Sequence, residues 1–238
     1  MNPLPHAESR EPDHHVDTRR AEIVLAAYRR GLFPMAVPAR PGGPPALAWY
    51  EADPRGVIPL DAFHLPRRLA RTIRAARFVV RCDTDFAAVI RACADPRRPG
   101  GWIDGWIIDT FILLHRLGHA HCVEAWRTPP EGGASVLVGG LYGLVVGGAF
   151  CAESMFSRPD LGGRDASSVC LAHLVAHLRR HGFTLLDTQT WSEHLARFGC
   201  VEITRAEYHR RLRHALARSP EWGRFEPGQY VAELAPGA

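Results

Sequence analysis

No apolar run in this chain approaches the roughly 20 residues that cross a bilayer, so no membrane-spanning helix is expected. The opening segment, Met1–Arg20, lacks the apolar core of a secretory signal and is polar and rich in Pro and His; it is expected to be a disordered leader. None of the six cysteines stands in a C-x-x-C pair, and most lie in apolar contexts. That usage fits reduced, buried thiols in a cytoplasmic protein. Also missing are H-E-x-x-H, a Walker loop, a G-x-G-x-x-G after a strand, and G-x-S-x-G; Ser154 sits in Ala-Glu-Ser-Met-Phe. These absences argue against a zinc peptidase, a P-loop nucleotide site, a dinucleotide fold and a serine hydrolase. His115, His119 and His121, and then His173, His177 and His181, lack the Cys or carboxylate partners of a zinc motif. They are expected to be surface and interface histidines, with no metal bound. There are no internal repeats.

What is present is enough for a substantial core. The chain has 238 residues, 46% of them hydrophobic, which allows one large domain or two small ones. A net charge of +4 is compatible with an anionic partner without identifying one.

Periodicity predicts a helix over Ala21–Arg30 ending at Gly31, then extended pieces at Leu32–Met35, Leu47–Tyr50 and Val57–Leu60. Asp53–Gly56 reads as a turn, and Pro38–Pro45 as a loop. Asp61 is expected to cap a helix running to Phe78. On it Arg67, Arg71 and Arg74 form a basic face opposite an apolar stripe of Leu65, Leu69 and Ile73. Such a face is either solvated surface or a ridge for phosphates. A strand at Phe78–Cys82, helices at Phe86–Ala94 and Ile107–Leu117, and a strand at Val123–Arg127 follow. Beyond a hairpin tip at Pro129–Ala134 come two Gly-rich strands, Val136–Leu141 and Val145–Phe156. A helix then starts at Asp165 or Ser167 and closes at Gly182; Thr184–Thr190 is a strand and Ser192–Phe198 a helix. Thr204–Glu207 is a capping box for a last helix to Ala217. The tail after Ser219 is expected to be irregular. This order is an α+β pattern and suits an acyltransferase fold of the GNAT type, with its ligand between splayed central strands.

Two segments carry the chemistry. Leu137–Arg158 puts Glu153 in an apolar, small-residue strand, and Leu185–Gln189 puts Asp187 and Gln189 two apart in another. Strand alternation predicts that Asp187 and Gln189 share a face. Polar groups in apolar strands need partners or a task. They form either a binding site in an apolar pocket or a hydrogen-bond network satisfied between strands.

Six segments in order resemble the bacterial leucyl/phenylalanyl-tRNA–protein transferases. They are Ala27–Pro34, Asp53–Val57, Gly118–His121 with Glu124 and Trp126, Val138–Gly143, Glu153–Arg158 and Leu186–Gln189. The likeness runs from about Glu22 to Ala215. It implies a small N-terminal α/β domain, here residues 21–62, and a GNAT-like catalytic domain, 63–238. It implies transfer of Leu, Phe or Met from aminoacyl-tRNA to an acceptor protein's N-terminal Arg or Lys, marking the acceptor for N-end-rule degradation. No cofactor is implied, and Arg158–Arg164 does not match the pyrophosphate loop of an acetyl-CoA enzyme. The resemblance makes Asp187, Gln189 and Glu153 catalytic, with Asp187 polarising Gln189 and Glu153 at the aminoacyl-adenosine pocket. Leu141, Phe150 and Leu174 match positions of the side-chain pocket. Met35 and Trp102 match positions flanking the terminal adenine, Met35 standing where many relatives have tryptophan. The ridge of Arg67, Arg71 and Arg74 matches the acceptor-stem site. Three other readings compete: a CoA-dependent N-acyltransferase, an RNA-binding module without catalysis, and a transferase that modifies acidic N-termini.

Overall fold

The computed structural model describes residues 14–37, 46–98, 101–129, 132–227 and 234. The expected leader as far as residue 13, the loop 38–45 and part of the hairpin tip, 130–131, lie outside the described residues. In chain order the elements are α1 (His14–Arg29), β1 (Phe33–Val37), β2 (Ala46–Tyr50), β3 (Arg55–Ile58), α2 (Arg67–Arg74), β4 (Val79–Cys82), α3 (Phe86–Cys93) and α4 (Gly105–Arg116). Then follow β5 (Ala120–Arg127), β6 (Val136–Val146), β7 (Ala149–Ser157), α5 (Ala166–Arg180), β8 (Leu185–Gln189), α6 (Glu193–Ala196), β9 (Val201–Ile203) and α7 (Arg205–Leu216).

β1 and β2 pair as a small antiparallel sheet, and the other strands form a seven-stranded sheet in the order β4-β5-β6-β7-β8-β3-β9. The fold is mixed α/β with a mixed sheet, because β7 and β8 run parallel while the other neighbours are antiparallel. Parallel neighbours cannot be joined by a tight hairpin, and α5 is the crossover between them. Alternating residues feed two cores. Val123, Leu141 and Phe150 pack with Leu69 of α2 and Val175 of α5. Cys122, Tyr142 and Leu144 pack with Tyr28 of α1, Ile90 of α3, Phe111 of α4 and Leu212 of α7. Helices therefore cover both faces, and burial of apolar surface on each side is what holds the sheet.

Helix starts with a side-chain cap lie close to their expected places. Asp85 accepts the Ala88 N–H at 2.9 Å, and Thr204 accepts that of Glu207 at 3.3 Å. The capping box forms only in that half, since Glu207 turns to Arg210 and Arg211 instead.

Four expectations need correction. α1 starts at His14, inside the segment read as a leader. Arg20 reaches over the Trp106 ring of α4 at 5.5 Å, a tertiary contact that composition does not reveal. The helix expected from Asp61 begins only at Arg67, after Pro66. Proline lacks an N–H and drives the preceding residue out of the helical region, so the helix can begin there but not run through it. β6 runs unbroken to Val146, and the hairpin turns at Gly147-Gly148 rather than near Tyr142. Gly143 marks close packing, not a turn: a Cβ there would lie 2.4 Å from both the Cys151 carbonyl oxygen and the Phe150 ring. Lastly, the Asp53–Gly56 turn runs directly into β3. That strand is hydrogen-bonded between β8 and the unforeseen β9, so part of the 21–62 segment sits within the large sheet.

Candidate active site

β7 and β8 are paired only where Ala149–Cys151 face Leu185–Asp187. Beyond that point a cavity of about 440 Å³ opens. Its walls come from Phe33 and Met35 of β1, Tyr50 and Glu51 at the end of β2, Trp102, Leu141 of β6, Ala152–Met155 of β7 and Leu171 of α5. Thr188, Gln189 and Thr190 close it, with Ser192 and Leu195 at α6. The Ala36 N–H donates to the Trp102 carbonyl at 3.0 Å and ties the small sheet to that wall.

Two irregularities aim the polar groups. Opposite β6, Tyr142 pairs with Ser154 and Gly143 with Ala152, so Glu153 is the extra residue of a β-bulge. On β8, Gly56 pairs with Gln189 and Val57 with Asp187, leaving Thr188 as the extra residue. Gln189 has φ +57, and the Thr190 N–H folds back to the Thr188 carbonyl at 2.6 Å. A non-glycine residue held there stores backbone strain. As a result, Thr188, Gln189 and Thr190 all line the cavity and Asp187 does not. The expectation that Asp187 and Gln189 share a face is therefore overturned: alternation holds only while the strand stays regular. Gly56 permits the crossing, because a Cβ there would meet the Thr190 carbonyl carbon at 2.5 Å.

Asp187 lies behind the cavity in a fully buried ion pair. Arg55 Nε donates to its Oδ1 at 2.9 Å and Nη2 to its Oδ2 at 2.7 Å, a fork-to-fork arrangement. Arg55 Nη1 donates to the Gly31 carbonyl at 2.8 Å, and the Tyr208 hydroxyl donates to Asp187 Oδ2 at 2.9 Å. Burial disfavours the Arg55 charge, but the Asp187 carboxylate outweighs it and the net pKa is raised. Asp187 Oδ1 accepts the main-chain N–H of Gln189 at 2.9 Å. Its link to Gln189 thus runs through the backbone and fixes the strained turn.

The Gln189 side chain points the other way, and its Nε2 donates to Glu153 Oε1 at 3.4 Å. Burial raises the Glu153 carboxyl to about 8, against the opposing pull of the Tyr28 hydroxyl. That hydroxyl and that of Tyr142 are buried without a hydrogen-bond partner of good geometry among the described residues. The site therefore couples a carboxyl raised to about 8 to an amide in one cavity. Such a pair can orient an amine and accept its proton.

Of the residues singled out in the sequence, Met35, Trp102, Leu141, Glu153 and Gln189 line the cavity. Phe150 and Leu174 do not; both are fully buried in the core beneath the sheet. Arg67, Arg71 and Arg74 are exposed on α2 and outside the cavity wall. Sequence reasoning missed Arg55, Tyr208, Tyr28, Phe33, Tyr50 and Glu51. Arg55 left a signal, a charge two residues ahead of the apolar Val57-Ile58, and Tyr28 and Phe33 lie within a segment that carries the family resemblance. The histidines also depart from expectation: His121, His173 and His177 are buried. His121 Nδ1 lies 2.8 Å from Asp83 Oδ2, and His173 Nδ1 2.8 Å from the Val169 carbonyl oxygen. Among the described residues no group of three or more His, Cys, Asp or Glu is placed to hold a metal ion. All six cysteines are free thiols, five of them buried.

The sequence profile described as leucyl/phenylalanyl-tRNA protein transferase matches residues 57–213, and that of the same family's N-terminal domain matches residues 20–53. The chain is 50% identical over 201 residues to the leucyl/phenylalanyl-tRNA–protein transferase of Paramagnetospirillum magneticum, covering 84% of this chain and 90% of that one. It is 52% identical over 195 residues to that of Rubrobacter xylanophilus, covering 82% and 94%. Among solved structures, FemX aligns with a TM-score of 0.43 and 11% identity over 72% of this chain and 59% of that one, too slight a likeness to bear on the argument. By its sequence from the first helix to the last, the chain belongs to the leucyl/phenylalanyl-tRNA–protein transferase family.

Proposed function

We propose that this chain moves Leu, Phe or Met from aminoacyl-tRNA to the N-terminal Arg or Lys of acceptor proteins, marking them for N-end-rule degradation. The cavity receives the aminoacyl-adenosine end of the tRNA, in a GNAT-like acyltransferase domain that follows a small N-terminal domain. The observation that carries this reading is Glu153, a bulged carboxyl facing Gln189 in the cavity that opens where two parallel strands part. The aminoacyl ester is already activated, so the protein's work is to position an amine and take its proton. The acceptor's α-nitrogen attacks the ester carbonyl carbon. The bond from that carbon to the ribose oxygen breaks, and the nitrogen's proton passes to Glu153, which delivers it to the departing ribose oxygen. Gln189 holds Glu153 and the amine in register. Asp187, pinned by Arg55 and Tyr208, serves as a positioning residue.

The apolar lining of Leu141, Met155, Leu171 and Leu195 favours apolar side chains unbranched at Cβ. One methylene discriminates by only about 1–3 kcal/mol, so Leu, Met and Phe share the pocket. Met35 and Trp102 flank the adenine. Arg68, next to the ridge on α2, lies 3.8 Å from Asp165 at the start of α5. The chain has no lysine, so its 29 basic residues are all arginine, the residue suited to forked phosphate contacts.

Purified protein incubated with radiolabelled Leu-tRNA and a model protein bearing N-terminal Arg is expected to label that N-terminus. RNase, or an N-terminal Asp acceptor, should abolish the label. No transfer from Leu-, Phe- or Met-tRNA would overturn the reading, and acetyl-CoA would then be the donor to try. Phosphate contact by the ridge predicts that Arg71→Ala lowers the slope of log affinity against log salt by about one. An unchanged slope in a tRNA-binding titration would remove Arg71 from the interface.

A further inference from the structure

An acceptor that begins with Arg or Lys brings two cationic groups to the cavity: the α-amine that reacts, and a side chain that does not. Among the described lining residues only Glu153 and Glu51 are carboxylates, and none is Arg, Lys or His. Glu153 is committed to Gln189 and the amine, in surroundings that disfavour a lasting charge. Glu51 stands elsewhere on the wall, just past β2, with its side chain 27% exposed. Beside it Tyr50, 40% exposed, turns an aromatic ring to the same cavity and rests against Phe33 with centroids 6.2 Å apart.

We infer that Glu51 and Tyr50 form the subsite for the side chain of the acceptor's N-terminal Arg or Lys, an inference that rests on the transferase reading above. A carboxylate next to an aromatic face is the chemistry that binds a guanidinium or ammonium group. Glu51 is held ready for it. His209 Nε2 lies 2.7 Å from Oε1, and Arg205 Nη1 donates to Oε2 at 3.5 Å. A carboxylate has about four acceptor positions, so these contacts orient Glu51 and leave room for a further donor. Arg205 is shared with Asp53: its main-chain N–H donates to Oδ1 at 3.2 Å, and its Nε lies 4.0 Å from Oδ2. The α-amine and the side-chain cation therefore meet different carboxylates in one cavity, which lets the enzyme select the acceptor without neutralising the group that takes the proton.

The test compares kcat/KM for peptides beginning with Arg or with citrulline, its uncharged near-isostere, using Leu-tRNA as donor. The Arg/citrulline ratio is the readout, because a general structural loss lowers both terms alike. Glu51→Gln is expected to lower that ratio about tenfold, the size of a charge-assisted contact, with the KM for Leu-tRNA unmoved. An unchanged ratio, whatever the overall rate, overturns the subsite. Should Glu51→Gln fail to fold, Tyr50→Leu decides, since it leaves the contacts to α7 in place. It is expected to lower the ratio roughly threefold, and an unchanged ratio there overturns the proposal. No transfer to Arg or Lys peptides by the unaltered protein would instead sink the transferase reading, and this subsite with it.

Discussion

Arg55→Ala is expected to destabilise the fold by about 3–5 kcal/mol and to leave no measurable aminoacyl transfer, because it strands a buried carboxylate. Arg55 and Asp187 are both fully buried, and each supplies the other's main partners. Without the guanidinium, Asp187 loses its counter-charge and keeps the Tyr208 hydroxyl and the Gln189 N–H. The Gly31 carbonyl at the end of α1 loses a donor as well. Urea unfolding measures the loss as a lower midpoint at unchanged m-value. Arg55→Lys keeps the charge but not the two-pronged geometry, so it should fall between alanine and the native residue. A loss below about 1 kcal/mol for Arg55→Ala would show that the pair does not clamp the site. The functional loss follows from the same clamp. Asp187 Oδ1 fixes the main chain of Gln189 at φ +57, and a released turn would swing the amide away from Glu153.

Glu153→Gln should slow transfer by about 10²–10⁴-fold, the range for a lost general base, while making the protein more stable in alkaline solution. The sign follows from the carboxyl's ionisation. Burial lifts it from an ordinary 4.5 to about 8, so between those values the folded chain holds a proton that the unfolded chain has lost. Stability then decreases as pH rises through that window and levels off above about 8. Glutamine does not ionise, so the variant lacks this slope. It should melt with the native protein at pH near 4 and above it at pH near 9. Activity runs the opposite way, since a base must be ionised to act. The acceptor amine also titrates near 7.7–8.0, so well below pH 8 the native kcat/KM should fall about a hundredfold per pH unit and that of the variant about tenfold. Equal pH profiles would remove Glu153 from the proton's path. A gain in stability where activity is lost is the mark of a group held at a cost for its chemistry.

Local chemistry decided much of this protein, and the sequence by itself was enough to read it. Asp85 and Thr204 cap their helices through the next few residues, and Leu185–Gln189 is apolar enough to be a buried strand, so neighbouring positions suffice. Six motifs in order also marked the family, and with it Glu153 and Gln189 as cavity residues. Tertiary structure alone decided where those side chains aim. The bulges at Glu153 and Thr188 arise from pairing with β6 and β3, strands distant in sequence, and they break the alternation that put Asp187 beside Gln189. Arg55 read as a turn residue because its partner lies 132 positions away and its charge made burial look costly. Phe150 and Leu174 are apolar residues near the site, and only packing could show that they stand behind the wall and not on it. Capping and periodicity are properties of a segment; the face a strand presents, and the partner that makes a buried charge tolerable, belong to the assembled sheet.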